Sequence, residues 1–215
     1  MACGERLHGG QTAEASVTAG AGRNTVVLVG GGARSGKSAY ALRRAASMGE
    51  RRAFLATAEV GDSEMRERID LHRAERGEDF QTLEVPLELP EALASLGDYD
   101  VAVVDCLTLW VSNLMWQGEE AEADASQVEQ RIDDLVEALG RAPCHVIIVS
   151  NEVGMGIVPM HASARAFRDH IGRAHQRVAE VSDEVVLAAL GCLIQVKPVL
   201  QLVPNPRGPG QRSDS

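Results

Sequence analysis

Residues 31–38 read GGARSGKS, and no other stretch constrains the fold of this chain as tightly. The run fits G-x-x-x-x-G-K-[ST], a pattern whose chemistry lies mainly in its backbone. Glycines let main-chain N–H groups turn inward around phosphate oxygens, the lysine adds a compact ammonium, and the last hydroxyl offers Mg2+ a hard oxygen. Such a loop belongs between a buried strand and a helix whose N-terminus adds positive potential. Both flanks are present: Thr25–Val29 is a short apolar run, and Lys37–Met48 has helical spacing. Gly31, Gly32, Ala33, Arg34, Ser35, Gly36, Lys37 and Ser38 are therefore the expected phosphate-binding residues. Lys37 is placed to neutralise the β and γ phosphates, and Ser38 to coordinate Mg2+. The bland alternative is a glycine-rich turn with an incidental lysine.

The rest of the chain continues the alternation. Ala53–Ala56, Val101–Val104 and Val146–Val149 are bare apolar runs of the kind that fills a buried parallel sheet. Asp62–Arg76 spaces Met65, Ile69 and His72 as a helix does. Val128–Leu139 puts Val128, Ile132, Leu135, Val136 and Leu139 on one helical face, and Ala162–Val181 reads as a longer helix. Val185–Leu190 and Leu193–Val196 flank Gly191-Cys192, which reads as a two-residue hairpin turn. Strands alternating with helices imply a three-layer α/β fold of the P-loop NTPase kind, with a mostly parallel sheet and a C-terminal hairpin. Residues 1–23 and 204–215 are expected to be disordered extensions around one globular domain spanning 24–203. Asp105 ends the run Val101–Asp105, where a P-loop protein needs a second carboxylate on the Mg2+ side. A turn or cap is the competing role for that aspartate.

Charge narrows the partners. The chain has 215 residues and a formal net charge of −10, which argues against nucleic acid as a ligand. Residues 118–139 hold eight acids and one base, Arg131, so most of that charge sits in one amphipathic helix with a solvated outer face. The remainder is close to neutral and is free to bind an anion. Only two of the 21 basic residues are lysines, Lys37 and Lys197, which singles both out. Cys3, Cys106, Cys144 and Cys192 are far apart and lack a metal-ligand spacing, so a reducing cytoplasm is expected. No apolar run is long enough to span a bilayer.

A guanine-reading Asn-Lys-x-Asp motif, expected of a GTPase switch, is missing. Further stretches are more specific than the phosphate loop: EMRERIDLHRAERG at 64–77, DCLTLWVSNL at 105–114, NEVGMGIVP at 151–159 and RAFRDHIGRAHQRVAE at 165–180. With AT at 56–57 and TLE at 82–84, they resemble the bifunctional adenosylcobinamide kinase / adenosylcobinamide-phosphate guanylyltransferase family over residues 25–197. The resemblance implies two reactions. ATP or GTP phosphorylates the aminopropanol hydroxyl of adenosylcobinamide, and GMP then passes from GTP to that phosphate through a guanylyl-histidine. It also implies a homotrimer.

The family's histidine matches His72, between Arg68 and Arg76 on one helical face. Two guanidinium groups there would keep the imidazole neutral and nucleophilic. The competing reading makes His72 a packed core residue on the Met65–Ile69 stripe, in a simple P-loop kinase of another small molecule. The resemblance places further nucleotide contacts at Thr57, Ala58, Glu59, Glu75, Arg76, Gly77, Glu78, Glu84 and Asp105. Asn151 and Glu152 follow a buried strand and are expected in the cleft. Arg165, Arg168 and Asp169 either meet the corrinoid phosphate or brace a helix. Phe80 and His175 depart from the family pattern, which has Trp and Asn there.

Overall fold

Each central strand presents two apolar faces, because its residues are hydrophobic without alternation, and each face needs its own cover. The computed structural model describes residues 23–58, 79–116 and 124–198. Its strands are β1 (Val26–Gly31), β2 (Arg52–Ala56), β3 (Gln81–Glu84), β4 (Val101–Asp105), β5 (His145–Asn151), β6 (Glu184–Ala189) and β7 (Cys192–Lys197). The helices are α1 (Lys37–Ala46), α2 (Leu89–Ala94), α3 (Leu107–Met115), α4 (Ala125–Gly140) and α5 (Ala162–Val181). One seven-stranded sheet runs β3-β2-β4-β5-β1-β6-β7, parallel throughout except for the antiparallel β6–β7 pair. The expected α/β class, the mostly parallel sheet and the C-terminal hairpin are all present.

The period of two sorts the strand residues. Val26, Leu28, Leu55, Val104 and Ile148 point to the face packed by α2, α3, α4 and α5. Val27, Val29, Phe54, Val103 and Ile147 point to the other, where Ala41 and Ala45 of α1 pack. Phe80 belongs to this second face, with its ring edge-on to Phe54 at 6.5 Å and Arg52 over it at 5.9 Å. The three layers follow directly.

The acidic helix is only partly the solvated face expected of it. Glu129 of α4 accepts from His170 at 2.7 Å and from Arg173 at 2.9 Å, and pairs with Arg177 at 3.1 Å, all on α5. Asp133 also pairs with Arg177, at 3.0 Å. Arg131 turns the other way, to Glu88 and Glu91 at α2. Much of the charge on α4 therefore clamps helix to helix. Lys197 likewise serves the structure. Its ammonium donates to the Ala179 and Glu180 carbonyls at the C-terminal end of α5, where a cation complements the helix dipole.

The hairpin differs from expectation by one residue. Its turn is Leu190-Gly191, not Gly191-Cys192, and Cys192 opens β7. Both turn residues have positive φ, 54° and 77°, the signature of a type I′ turn, whose twist matches that of the strands. Gly191 fits the second position at no steric cost, whereas a fully exposed leucine in the first is strained. Leu190→Asn, which tolerates that backbone, is expected to raise stability by about 0.5–1 kcal/mol. Urea denaturation of the two proteins checks this.

Candidate active site

Six parallel strands carry their C-terminal ends to one edge, and the loops leaving that edge form the crevice in which α/β ligands bind. Gly31, Ala56, Glu84, Asp105, Asn151 and Ala189 end the six strands there. The phosphate loop leaves β1 at this edge and runs into α1. Gly36, the residue before the helix, is left-handed at φ 92°, and Arg34 at 54°. Gly31 admits no side chain, since an added Cβ would collide with the Ala188 carbonyl and approach the Ser35 hydroxyl to 2.8 Å. The loop can therefore lie against β6 only with glycine at its root.

Lys37 folds back into the loop, 7% exposed, and its ammonium donates to the Gly32 carbonyl at 3.0 Å. Burial pulls its pKa below the ordinary lysine range, while the Asp105 carboxylate and, more weakly, the Cys106 side chain pull it back up. The Ser35 hydroxyl is buried without a hydrogen-bond partner, beside that ammonium's loop. Ser38 is half-buried in the first turn of α1. Loop, ammonium, hydroxyls and Asp105 together make a cradle suited to phosphate oxygens and a hard cation.

Asp105 is held by its backbone. Thr57, fully buried just past β2, donates its amide to the Asp105 carbonyl at 3.2 Å. The Thr57 hydroxyl accepts from the Cys106 amide at 2.7 Å and donates to the Cys106 carbonyl at 2.8 Å. Burial and the nearby Asp105 push the Cys106 thiol up to about 11, so it is neutral and packs as an apolar group. Helix α3 then braces the edge. Trp110 donates its indole N–H to Leu87 at 2.8 Å, and the Asn113 amide donates to the Thr57 and Pro86 carbonyls at 2.7 and 3.0 Å. The stretch DCLTLWVSNL is thus a scaffold that pins the segments after β2, β3 and β4 around Asp105.

Several expected residues lie along this edge: the loop 31–38, Thr57, Ala58 and Asp105, with Asn151 and Glu152 beside Gly31, while Glu84 ends the outer strand β3, four strands from β1. The hydroxyl of Thr57 is engaged by Cys106, so its place in the site is as a support. Arg165 donates to the Pro159 and Met160 carbonyls at 3.0 and 2.6 Å, which makes it a brace of the loop before α5. Glu59, Arg68, His72, Glu75, Arg76, Gly77 and Glu78 lie outside the described residues. Sequence reasoning had not singled out Thr108 or Asn113, although the S/T/N types flanked by apolar residues in 105–114 were the available signal. Among the described residues no group of three or more His, Cys, Asp or Glu side chains is placed to hold a metal ion. No helix among them is long and apolar enough to cross a membrane.

Comparison with known proteins finds relatives over most of the chain. The family model described as cobinamide kinase / cobinamide phosphate guanyltransferase matches residues 27–196. The bifunctional adenosylcobalamin biosynthesis protein CobP of Pseudomonas aeruginosa is 40% identical over 171 residues, covering 79% of this chain and 96% of that protein. The bifunctional adenosylcobalamin biosynthesis protein CobU of Salmonella typhimurium is 38% identical over 183 residues, covering 80% of this chain and 99% of that protein. Among solved structures, the RadB recombinase aligns over 76% of this chain and 73% of its own, with a TM-score of 0.43 and 14% identity, too loose a likeness to carry an argument.

Proposed function

The chain belongs to the cobinamide kinase / cobinamide phosphate guanyltransferase family, and on that premise we propose that its one phosphate loop serves both transfers, with His72 as the guanylyl carrier. The observation that carries the proposal is the cradle: a buried Lys37 ammonium inside a glycine loop, under the influence of Asp105 at the end of β4. A loop that grips β and γ phosphates suits γ-transfer directly. The substrate hydroxyl oxygen of adenosylcobinamide attacks the γ-phosphorus, the bond to the β–γ bridging oxygen breaks, and the nucleoside diphosphate leaves.

The same grip suits guanylylation, because β and γ phosphates together are the leaving pyrophosphate. A neutral His72 ring nitrogen attacks the α-phosphorus of GTP, the α–β bridging bond breaks, and pyrophosphate departs from the loop. A phosphate oxygen of the corrinoid then attacks the guanylyl phosphorus and returns His72 to its free state. Mg2+ with the nucleotide fits the donor set. Ser38 hydroxyl and Asp105 carboxylate are hard oxygens, and Mg2+ is usually held by one or two protein groups plus substrate phosphates. When bound it would neutralise charge on the phosphates, and Lys37 and the loop amides do the orienting.

The covalent step is tested by incubating the protein with α-labelled GTP and mapping the modified peptide. Label is expected on the peptide holding His72 and is expected to vanish in His72→Ala. Label retained by that variant would overturn the role and favour a kinase in which His72 is structural.

We also propose that copies of the chain associate as a homotrimer. Supporting this, Leu193, Ile194 and Val196 on edge strand β7 stand 44–52% exposed, an apolar edge of the sort that a neighbouring chain covers. Sedimentation equilibrium is expected to give three chain masses, and a monomer would contradict the proposal.

A further inference from the structure

The β4–β5 ladder stops with Asp105 opposite Val149, so strand pairing leaves the Asn151 amide without a partner on that side. The Thr108 hydroxyl of α3 takes its place and accepts that N–H at 2.7 Å. Its own proton then has two candidate oxygen acceptors, beside the weakly accepting Cys106 sulfur. Ser150 Oγ lies at 3.0 Å, whereas the Asn151 carbonyl lies at 3.5 Å, too long to compete. Ser150 Oγ in turn lies 2.7 Å from His175 Nε2, on α5. Ser150 is fully buried and Thr108 6% exposed, so an unmet hydroxyl would be costly there.

An amide N–H is always a donor, and this fixes the first link of the chain, from Asn151 to Thr108. The shortest oxygen and nitrogen contacts favour Thr108 donating to Ser150 and Ser150 to a His175 Nε2 that carries no proton, because the reverse order would send the Thr108 proton to a longer or weaker acceptor. Burial holds the ring below the usual imidazole range, against a smaller opposing pull from the Glu152 carboxylate, which favours the neutral ring with one bare nitrogen able to accept. The end of β5 that this relay fixes is the neighbour of the phosphate loop. Gly31 pairs with Asn151, and the Glu152 amide donates to the Gly31 carbonyl at 3.0 Å.

We infer that His175 is a positioning residue for the two transfers: as terminal acceptor of the relay through Ser150 and Thr108, it fixes the end of β5 and with it the Gly31 root of the phosphate loop. The inference rests on that loop carrying the reactions. What the relay needs is an acceptor at the Nε2 position, which a glutamine amide oxygen also supplies and a phenylalanine does not.

The test uses the full chain with His175→Phe, His175→Gln, Ser150→Ala and the Ser150→Ala/His175→Phe double variant. Two readouts are taken: kcat and KM for ATP-dependent phosphorylation of adenosylcobinamide, and hydrogen exchange of the Asn151 amide. In His175→Phe, kcat is expected to fall about tenfold with KM for nucleotide little changed, and Asn151 exchange to rise about tenfold, as for loss of one buried hydrogen bond. His175→Gln is expected to restore both to within about threefold, and the double variant to be no worse than Ser150→Ala alone. Unchanged Asn151 protection in His175→Phe would overturn the relay. So would equal impairment of the Gln and Phe variants, or independent effects that multiply in the double variant. Because amide exchange needs no turnover, an inactive wild-type chain would count against the functional reading while the relay is still judged on exchange.

Discussion

An ammonium held out of water at the mouth of a glycine loop is the constraint around which this molecule is arranged. Lys37 makes one hydrogen bond to the loop that it closes, and it is almost fully covered. Removing such a charge from water is costly unless opposite charge lies near it. Asp105 supplies part of that charge, which requires β4 to lie only one strand away from β1, as it does across β5. On the proposed reading, nucleotide phosphates would complete the neutralisation. The site is thus stable but electrically unfinished, which is a physical reason for it to bind a polyphosphate.

Holding Asp105 in place falls to Thr57 and helix α3. Thr57 ties β2 to the turn after β4 through both amide and hydroxyl, and α3 spans from Leu87 and Pro86 to the end of β5. Charge is segregated in the same spirit. Glu129 and Asp133 of α4 are drawn into contacts with α5, and Arg131 of α4 with acids at α2, on one face of the sheet, where α1 and the phosphate loop do not lie. Net charge is a poor guide to ligand preference here, and the placement of that charge is a better one.

How much of this could be read from sequence depended on how local its cause was. The phosphate loop, α5, and strands β1, β4 and β5 were legible because glycine chemistry and apolar runs act over a few residues. Helix α3 was not, because six of its nine residues are buried and it shows little amphipathic contrast. Short β3 was hidden by its mixed polarity, and α2 by its length and early proline. The turn at 190–191 was misplaced by one residue because positive φ at Leu190 is imposed by the twist of the hairpin. The relay to His175 joins residues 25 to 67 positions apart, so only the folded sheet brings it together.

On the proposed reading, one loop serves both transfers and a single cradle suffices. In phosphorylation the grip on β and γ phosphates would steady the leaving diphosphate and the migrating group, and in guanylylation the same grip would steady the leaving pyrophosphate. The most direct test separates the two reactions in one variant, Lys37→Ala. ATP-dependent phosphorylation of adenosylcobinamide is assayed first, then GMP transfer from GTP to adenosylcobinamide phosphate supplied ready-made. A shared loop predicts that both rates collapse together, by about a hundredfold or more, the order of effect seen when one electrostatic stabiliser of a transition state is removed. Guanylyl transfer at the wild-type rate alongside a lost kinase step would contradict it.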